Sequence, residues 1–334
     1  MRRMSLFHPD IEVKHYKALR KRVKKAFRKI EQVVDICSPR EKAYLWALRR
    51  IGVRRLLVGD ARYLRRIVRC FDKILPKGDF TNPKSADYHE RFARISLEVR
   101  KSFNYEYFCG TSDENETWGG WALAKEINKS MKYCPYCNAE TLYAFEWKKD
   151  ATTLKMAKSA FDHYFPRSRY PFLGLSLYNL IPSCTRCNTA LKGAISDGLT
   201  EMAHPYVDDI DAKMRFHALI VNPALAFQGN EQGLGGVVFA ERSYGAFKPG
   251  TLWNKMFKVS ESYSALYMKD AALALARAKR FPKKYVDMVA RQLKEQGLPV
   301  GNLEEQLYGT SLDRGQINLH RHAKLIMDLS DEFR

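Results

Sequence analysis

The chain predicts an α+β fold, with a small cysteine-stapled core set between a basic helical region and a mixed, mostly helical one. Three observations carry this. Two Cys-x2-Cys pairs, Cys134-Pro-Tyr-Cys137 and Cys184-Thr-Arg-Cys187, enclose 46 residues with strand-like runs. Apolar residues at three- and four-residue spacing mark helices before and after them. The net charge of +20 is concentrated towards the amino-terminal end. The expected regions are 1–131, basic and helical; 132–200, the stapled core; and 201–334, mixed strand and helix.

In the first region, Tyr16, Leu19, Val23, Phe27, Ile30 and Val34 form one stripe of a long helix whose other faces are mostly Lys and Arg. A shorter helix is expected at 41–50. A second basic helix follows, with Leu64, Ile67, Val68, Phe71 and Leu75 inside and Arg62, Arg65, Arg66 and Arg69 outside. Turn signals fill 76–83, and helices are expected at 85–108 and 116–131. Residues 141–146 and 152–162 read as strands and 188–194 as the start of a short helix. Beyond residue 200, strands are expected at 215–221 and 236–241, then helices at 261–280, 282–296 and 318–328.

Composition narrows the class. With 334 residues, 46% hydrophobic and 12% aromatic, the chain can bury real cores. No apolar run nears the roughly 20 residues of a membrane span. The opening Met1-Arg-Arg-Met-Ser-Leu-Phe-His-Pro-Asp10 lacks the apolar stretch of a signal peptide. The expectation is a cytoplasmic protein with no membrane partner. Residues 1–77 hold 23 Lys or Arg against 7 Asp or Glu, leaving +16 there. Nucleic acid is the natural partner for such a field, although an acidic protein would satisfy it too.

Four cysteines in two tight turns suit tetrahedral zinc, with Zn–S bonds of about 2.3 Å. An odd total of seven cysteines in a long chain argues against a disulfide framework. Cys37, Cys70 and Cys109 stand among apolar neighbours and read as buried free thiols. A plain zinc ribbon would satisfy the two pairs, but the residues between and beside them add chemistry. An Asp162-His163 pair at a strand end can hold Mg²⁺ or Mn²⁺ through the carboxylate while the imidazole acts on water as a general base. Asn188 offers a neutral oxygen to the same ion. This set points to a metal-dependent nuclease. Arg167 and Arg169 read either as contacts to backbone phosphates or as solvated loop charges. His204 reads as a packed histidine at a domain junction, with approach to the metal centre as the alternative.

The pattern Cys134-x2-Cys137, Asp162-His163-x2-Pro166, Asn179-Leu-Ile-Pro-Ser183, Cys184-x2-Cys187-Asn188 and Lys192-Gly193 resembles the HNH, or ββα-metal, endonucleases across the 60 residues from Cys134 to Gly193. The resemblance implies a ββα-metal core in which His163 is the general base and Asp162 with Asn188 holds one divalent ion. Asn179 would orient the loop and the base, and Lys192 would meet a phosphate, although it stands one residue further along than in many members. The implied reaction is one-metal hydrolysis of phosphodiester bonds, with DNA favoured and RNA open. The wider order, with His204-Pro-Tyr206 and Lys258-Val-Ser-Glu-Ser-Tyr263 ahead of a long helix, is similar to HNH proteins of Septu and retron-associated anti-phage systems, which work beside an ATPase. No Gly-x4-Gly-Lys-Ser/Thr loop is present in this chain, so such an ATPase would be a separate polypeptide. A reading from another class stays open: a zinc-stabilised nucleic-acid-binding module with an idle nuclease centre.

Overall fold

The computed structural model describes residues 1–5, 7–33, 38–110, 118–149, 152–158, 160–193, 195, 198–241 and 249–333. Helix α1 (Pro9–Val33) turns Leu19 and Val23 inward and packs on α2 (Pro39–Val58) and α4 (Glu90–Phe103). Val34 and Cys37 of the expected stripe and thiols lie outside the described residues. A capping box between Ser38 and Glu41 starts α2. At Gly52, φ 76°, the backbone leaves the helical region, so the first helical segment ends close to the expected residue 50 and a second one continues across the kink to Val58.

Helix α3 (Ala61–Phe71) buries Leu64, Ile67, Val68 and Phe71, and Leu75 just beyond it. Arg65, expected outside, instead donates to the Met202 carbonyl at 2.6 Å and to Asp208 at 3.0 Å. The helix expected at 85–108 begins only at Glu90, capped by His89, and breaks at Asn104 into α4 and α5 (Tyr105–Gly110). Helix α6 (Gly120–Ile127) is shorter than its expected span, of which residues 116 and 117 lie outside the described residues. Cys70 and Cys109 are exposed, contrary to the reading as buried thiols. On α3 the inward stripe passes through positions 64, 67, 68 and 71, and position 70 falls beside it.

Strands β1 (Tyr143–Lys149) and β2 (Thr152–Lys158) form an antiparallel ribbon. Strand β3 (Ala160–His163) pairs separately with β4 (Leu180–Ser183), with Asp162 opposite Ile181 and His163 opposite Leu180. The single strand expected over 152–162 is thus two strands with different partners. After β4 a π-helix spans Arg186–Lys192, and Gly193 N donates to the Asn188 carbonyl five residues back at 2.9 Å. Ala194, the end of the expected helix, lies outside the described residues.

Helix α7 (Ile210–Lys213) leads into β5 (Met214–Ile220), which pairs antiparallel with β6 (Leu234–Glu241) after the short α8 (Pro223–Ala226). Helices α9 (Pro249–Phe257), α10 (Val259–Leu266), α11 (Met268–Arg280), α12 (Lys283–Glu295), α13 (Leu303–Tyr308) and α14 (Ala323–Phe333) complete the described fold. Tyr267 separates α10 from α11 where one helix was expected, and His322 at φ 53° delays α14 to Ala323. Lys324, fully buried, lies 2.8 Å from both Asp211 and Asp328 and fastens α14 to the elements before it. The chain is a mixed α+β fold, and one hydrophobic cluster runs from Met1 to Leu329. Among the described residues no helix is long and apolar enough to cross a membrane.

Candidate metal centre and the Asp-His pair beside it

The first cysteine turn is closed by Asn138 N donating to the Cys134 carbonyl at 2.8 Å, with Asn138 itself at φ 56°. Asparagine tolerates that left-handed conformation better than most residues. Its buried side chain donates to the Ile317 carbonyl at 2.8 Å and accepts from Lys324 N at 3.1 Å. Tyr263 donates to the Cys137 carbonyl at 2.8 Å. This turn is therefore gripped by the carboxy-terminal helices. The second turn follows β4 directly, and the amide nitrogens of Cys184 and Cys187 lie 3.5 Å from Cys134 Sγ and Cys184 Sγ.

All four sulfurs lie within 4.8 Å of one another and all four residues are buried. Hydrogen bonds from the other three hold Cys137 well below the usual thiol range, while burial pushes Cys134 up. Four sulfurs this close cannot all ionise unless a cation sits among them. An all-sulfur, buried, four-membered donor set can hold a zinc ion. Arg186 adds a positive group: burial opposes its charge, but Cys137, Tyr267 and Cys187 together outweigh that and raise its pKa.

Tyr136, inside the first turn, connects this cluster to Asp162. Its hydroxyl donates to Asp162 Oδ2 at 2.6 Å. Phe257 stacks on its ring at 4.1 Å, and Trp253 Nε1 donates to its carbonyl at 3.0 Å. Burial and the adjacent carboxylate push its pKa well up, so the phenol remains a donor. The other oxygen, Asp162 Oδ1, meets the Lys192 ammonium at 2.8 Å, and that ammonium also donates to the His163 carbonyl at 2.7 Å. Lys192 is buried at the end of the π-helix, against β3. The lysine expected at a phosphate is thus engaged in the interior, and the carboxylate expected on a divalent ion has both oxygens bonded. Asn188 is half-buried on the same π-helix, and its side-chain amide makes no hydrogen bond to a described residue.

His163 places Nε2 3.0 Å from the Gly174 carbonyl. A carbonyl only accepts, so this nitrogen carries the proton and Nδ1 keeps its lone pair. Burial, aided by the nearby Arg167 and Lys192 charges, lowers its pKa to about 3. The imidazole is therefore neutral near pH 7. Tyr105 packs edge-on to it at 4.5 Å, and the Arg167 guanidinium lies 5.0 Å over the Tyr105 ring and 2.5 Å from Glu106.

Asn179 fixes the loop that supplies Gly174. Its amide oxygen accepts from Phe165 N at 2.8 Å, and its nitrogen donates to the carbonyls of Phe165 and Leu173 at 3.0 and 3.1 Å. Arg169 is directed elsewhere, to Asp72 at 3.2 Å and the Gly78 carbonyl at 2.8 Å. His204 is buried with its ring 4.0 Å from Tyr164, accepting from Tyr206 N at 3.2 Å. Sequence reasoning missed Tyr136, Tyr105 and Gly174. Tyr136 stood in plain view between two cysteines, but nothing in the spacing names its partner. Tyr105 and the Gly174 carbonyl left no signal at all.

No protein-family model matches the chain, and no solved structure matches it. Over 49 residues it is 39% identical to protein ea31 of Escherichia phage lambda, a stretch that covers 14% of this chain and 17% of that protein. The similarity therefore concerns a short segment of each.

Proposed function

We propose that the chain is a metal-dependent endonuclease of the HNH type, hydrolysing phosphodiester bonds with His163 as general base. The observation that supports this best is the state of His163: neutral, held through Nε2 by a backbone carbonyl, and next to Asp162 in a strand pair framed by four cysteines. Its Nδ1 takes the proton of the attacking water. Arg167, which lies over the Tyr105 ring that packs on His163, is the nearby cation to offset the charge that builds on the phosphate. Mg²⁺ or Mn²⁺ held by Asp162 and Asn188 would supply further charge stabilisation once the Lys192 ammonium leaves Asp162 Oδ1. Zinc on Cys134, Cys137, Cys184 and Cys187 has a structural part. DNA is the favoured substrate, and the same chemistry would serve on RNA. Work beside a separate ATPase in an anti-phage defence system rests on the resemblance of the motifs.

The test is incubation of the purified protein with plasmid, single-stranded DNA and total RNA in Mg²⁺ or Mn²⁺, against His163→Ala. Loss of the base should slow cleavage about 10²- to 10⁴-fold and leave nucleic-acid affinity unchanged. Cleavage by His163→Ala at the wild-type rate would falsify the proposal. One observation favours a second reading, a binding module with an idle centre: the Lys192 ammonium bonds Asp162 where an ion would be needed. In that case the wild-type protein cuts none of the three substrates with either metal.

A further inference from the structure

We propose that the β1–β2 ribbon is a platform for single-stranded nucleic acid, on which unpaired bases stack. Tyr143, Phe145 and Trp147 alternate along β1 and so share one face. Their successive ring centroids are 5.4 and 5.6 Å apart. Met156 stands opposite Phe145 in the register. Phe145, Trp147 and Met156 are 47%, 38% and 44% exposed, an apolar strip that the protein's own core does not cover. The other face is the anchored one. The ribbon lies on α6, Lys125 pairs with Glu146 at 3.0 Å, and Trp121 has Lys125 and Lys155 at 4.8 and 5.1 Å from its ring. Held from one side, the ribbon presents its rings to solvent.

Charge decides what would cover them. The two strands contain Lys148, Lys149, Lys155 and Lys158 against Glu146, which is already paired; Lys148 and Lys155 share the anchored face with Glu146. By register, residues 149 and 158 stand at the two ends of the ring face. A second copy of the ribbon would bring lysine against lysine, which disfavours self-association. Phosphates match the lysines and flat bases match the rings, the combination that single-strand binding uses. A duplex turns its bases to each other, so the matching ligand has unpaired ones. Lys158 and His163 are five residues apart, a span of at most about 18 Å, so a strand on the ribbon passes near the Asp-His pair. This last step deepens the nuclease reading and rests on it; the binding itself does not.

The experiment uses the full chain carrying His163→Ala, so that binding is read without cleavage. Labelled oligothymidylate and oligouridylate of about 12 nucleotides, within the range of such platforms, are titrated beside a blunt duplex of the same length. Adding Trp147→Ala should weaken single-strand binding about 5- to 150-fold, the loss of one stacked base. The salt dependence of affinity should not change, because no phosphate contact is removed, and duplex binding should stay as it was. Equal losses on both oligomers assign the platform to DNA and RNA alike; a loss on one names that source. The proposal is overturned if neither Trp147→Ala nor Phe145→Ala changes single-strand affinity. Equal weakening of duplex binding also overturns it, as does sedimentation showing a dimer that Trp147→Ala dissociates. A wild-type chain that binds through Trp147 but cuts nothing sinks the nuclease reading and leaves the platform standing.

Discussion

An ammonium 2.8 Å from Asp162 and 2.7 Å from the His163 carbonyl does electrostatically what a small cation would do between the same oxygens. Removing it leaves a carboxylate in the interior with, among the described residues, only the Tyr136 hydroxyl as a partner. Lys192→Met should therefore cost about 3–5 kcal/mol of stability, the usual penalty for stripping one partner from a buried pair. If an ion can take the vacated position, millimolar Mn²⁺ should restore part of that loss in a urea melt. The double variant Asp162→Asn with Lys192→Met should be more stable than Lys192→Met alone. A single variant with unaltered stability would show the pair to be energetically idle. At this scale the sequence was readable where a site depends on spacing along the chain, as in the two cysteine pairs. It was silent where chemistry depends on contact across the fold. Neither Tyr136 meeting Asp162 nor Gly174 meeting His163 leaves a trace in local pattern.

Elements show a similar division. Periodicity located α1, α3 and the β5–β6 pair because each buries a regular stripe or alternates along a strand. It misjudged the breaks at Asn104 and Tyr267, where backbone angles interrupt runs that remain apolar on either side. The strand pair bearing the candidate site is very short, four residues in each strand, and ladders of that length do not hold alone. What holds them is the cysteine cluster, with one turn gripped by Tyr263 and Lys324 and the other continuous with β4. A structural zinc contributes about 10–16 kcal/mol in small domains, comparable to the whole stability of a typical protein, about 5–15 kcal/mol. One zinc per chain is expected by elemental analysis. Its removal by a chelator, or Cys184→Ser, should abolish the near-ultraviolet dichroism of the packed aromatics. Retention of native dichroism in the metal-free protein would mean that packing alone carries the core.

Across the whole molecule, the basic amino-terminal helices are part of the shared core, since Leu19, Val23 and Leu64 belong to the cluster that also contains Tyr164 and Leu325. Their charge is therefore mounted on elements that share that core. The same core encloses three histidines kept neutral by burial: His15, with its pKa lowered to about 4, His163, lowered to about 3, and His204, lowered well below the ordinary value. In the unfolded chain each would titrate near 6.5. Below that pH the unfolded state takes up protons that the folded state refuses, so stability is complete above about pH 6.5 and falls as pH falls. Each histidine contributes about 1.4 kcal/mol per pH unit once its unfolded form is protonated, so three give about 4 kcal/mol per unit. That slope should persist until the pH nears 4, where folded His15 begins to accept its proton. Urea melts at pH 7, 6 and 5, with zinc content checked at each, should show stability dropping steeply between pH 6 and 5 with the uptake of about three protons. His204→Phe, which keeps a ring against Tyr164, should reduce that uptake by one. Equal stability at pH 7 and 5 would mean that the three imidazoles find protons inside the fold.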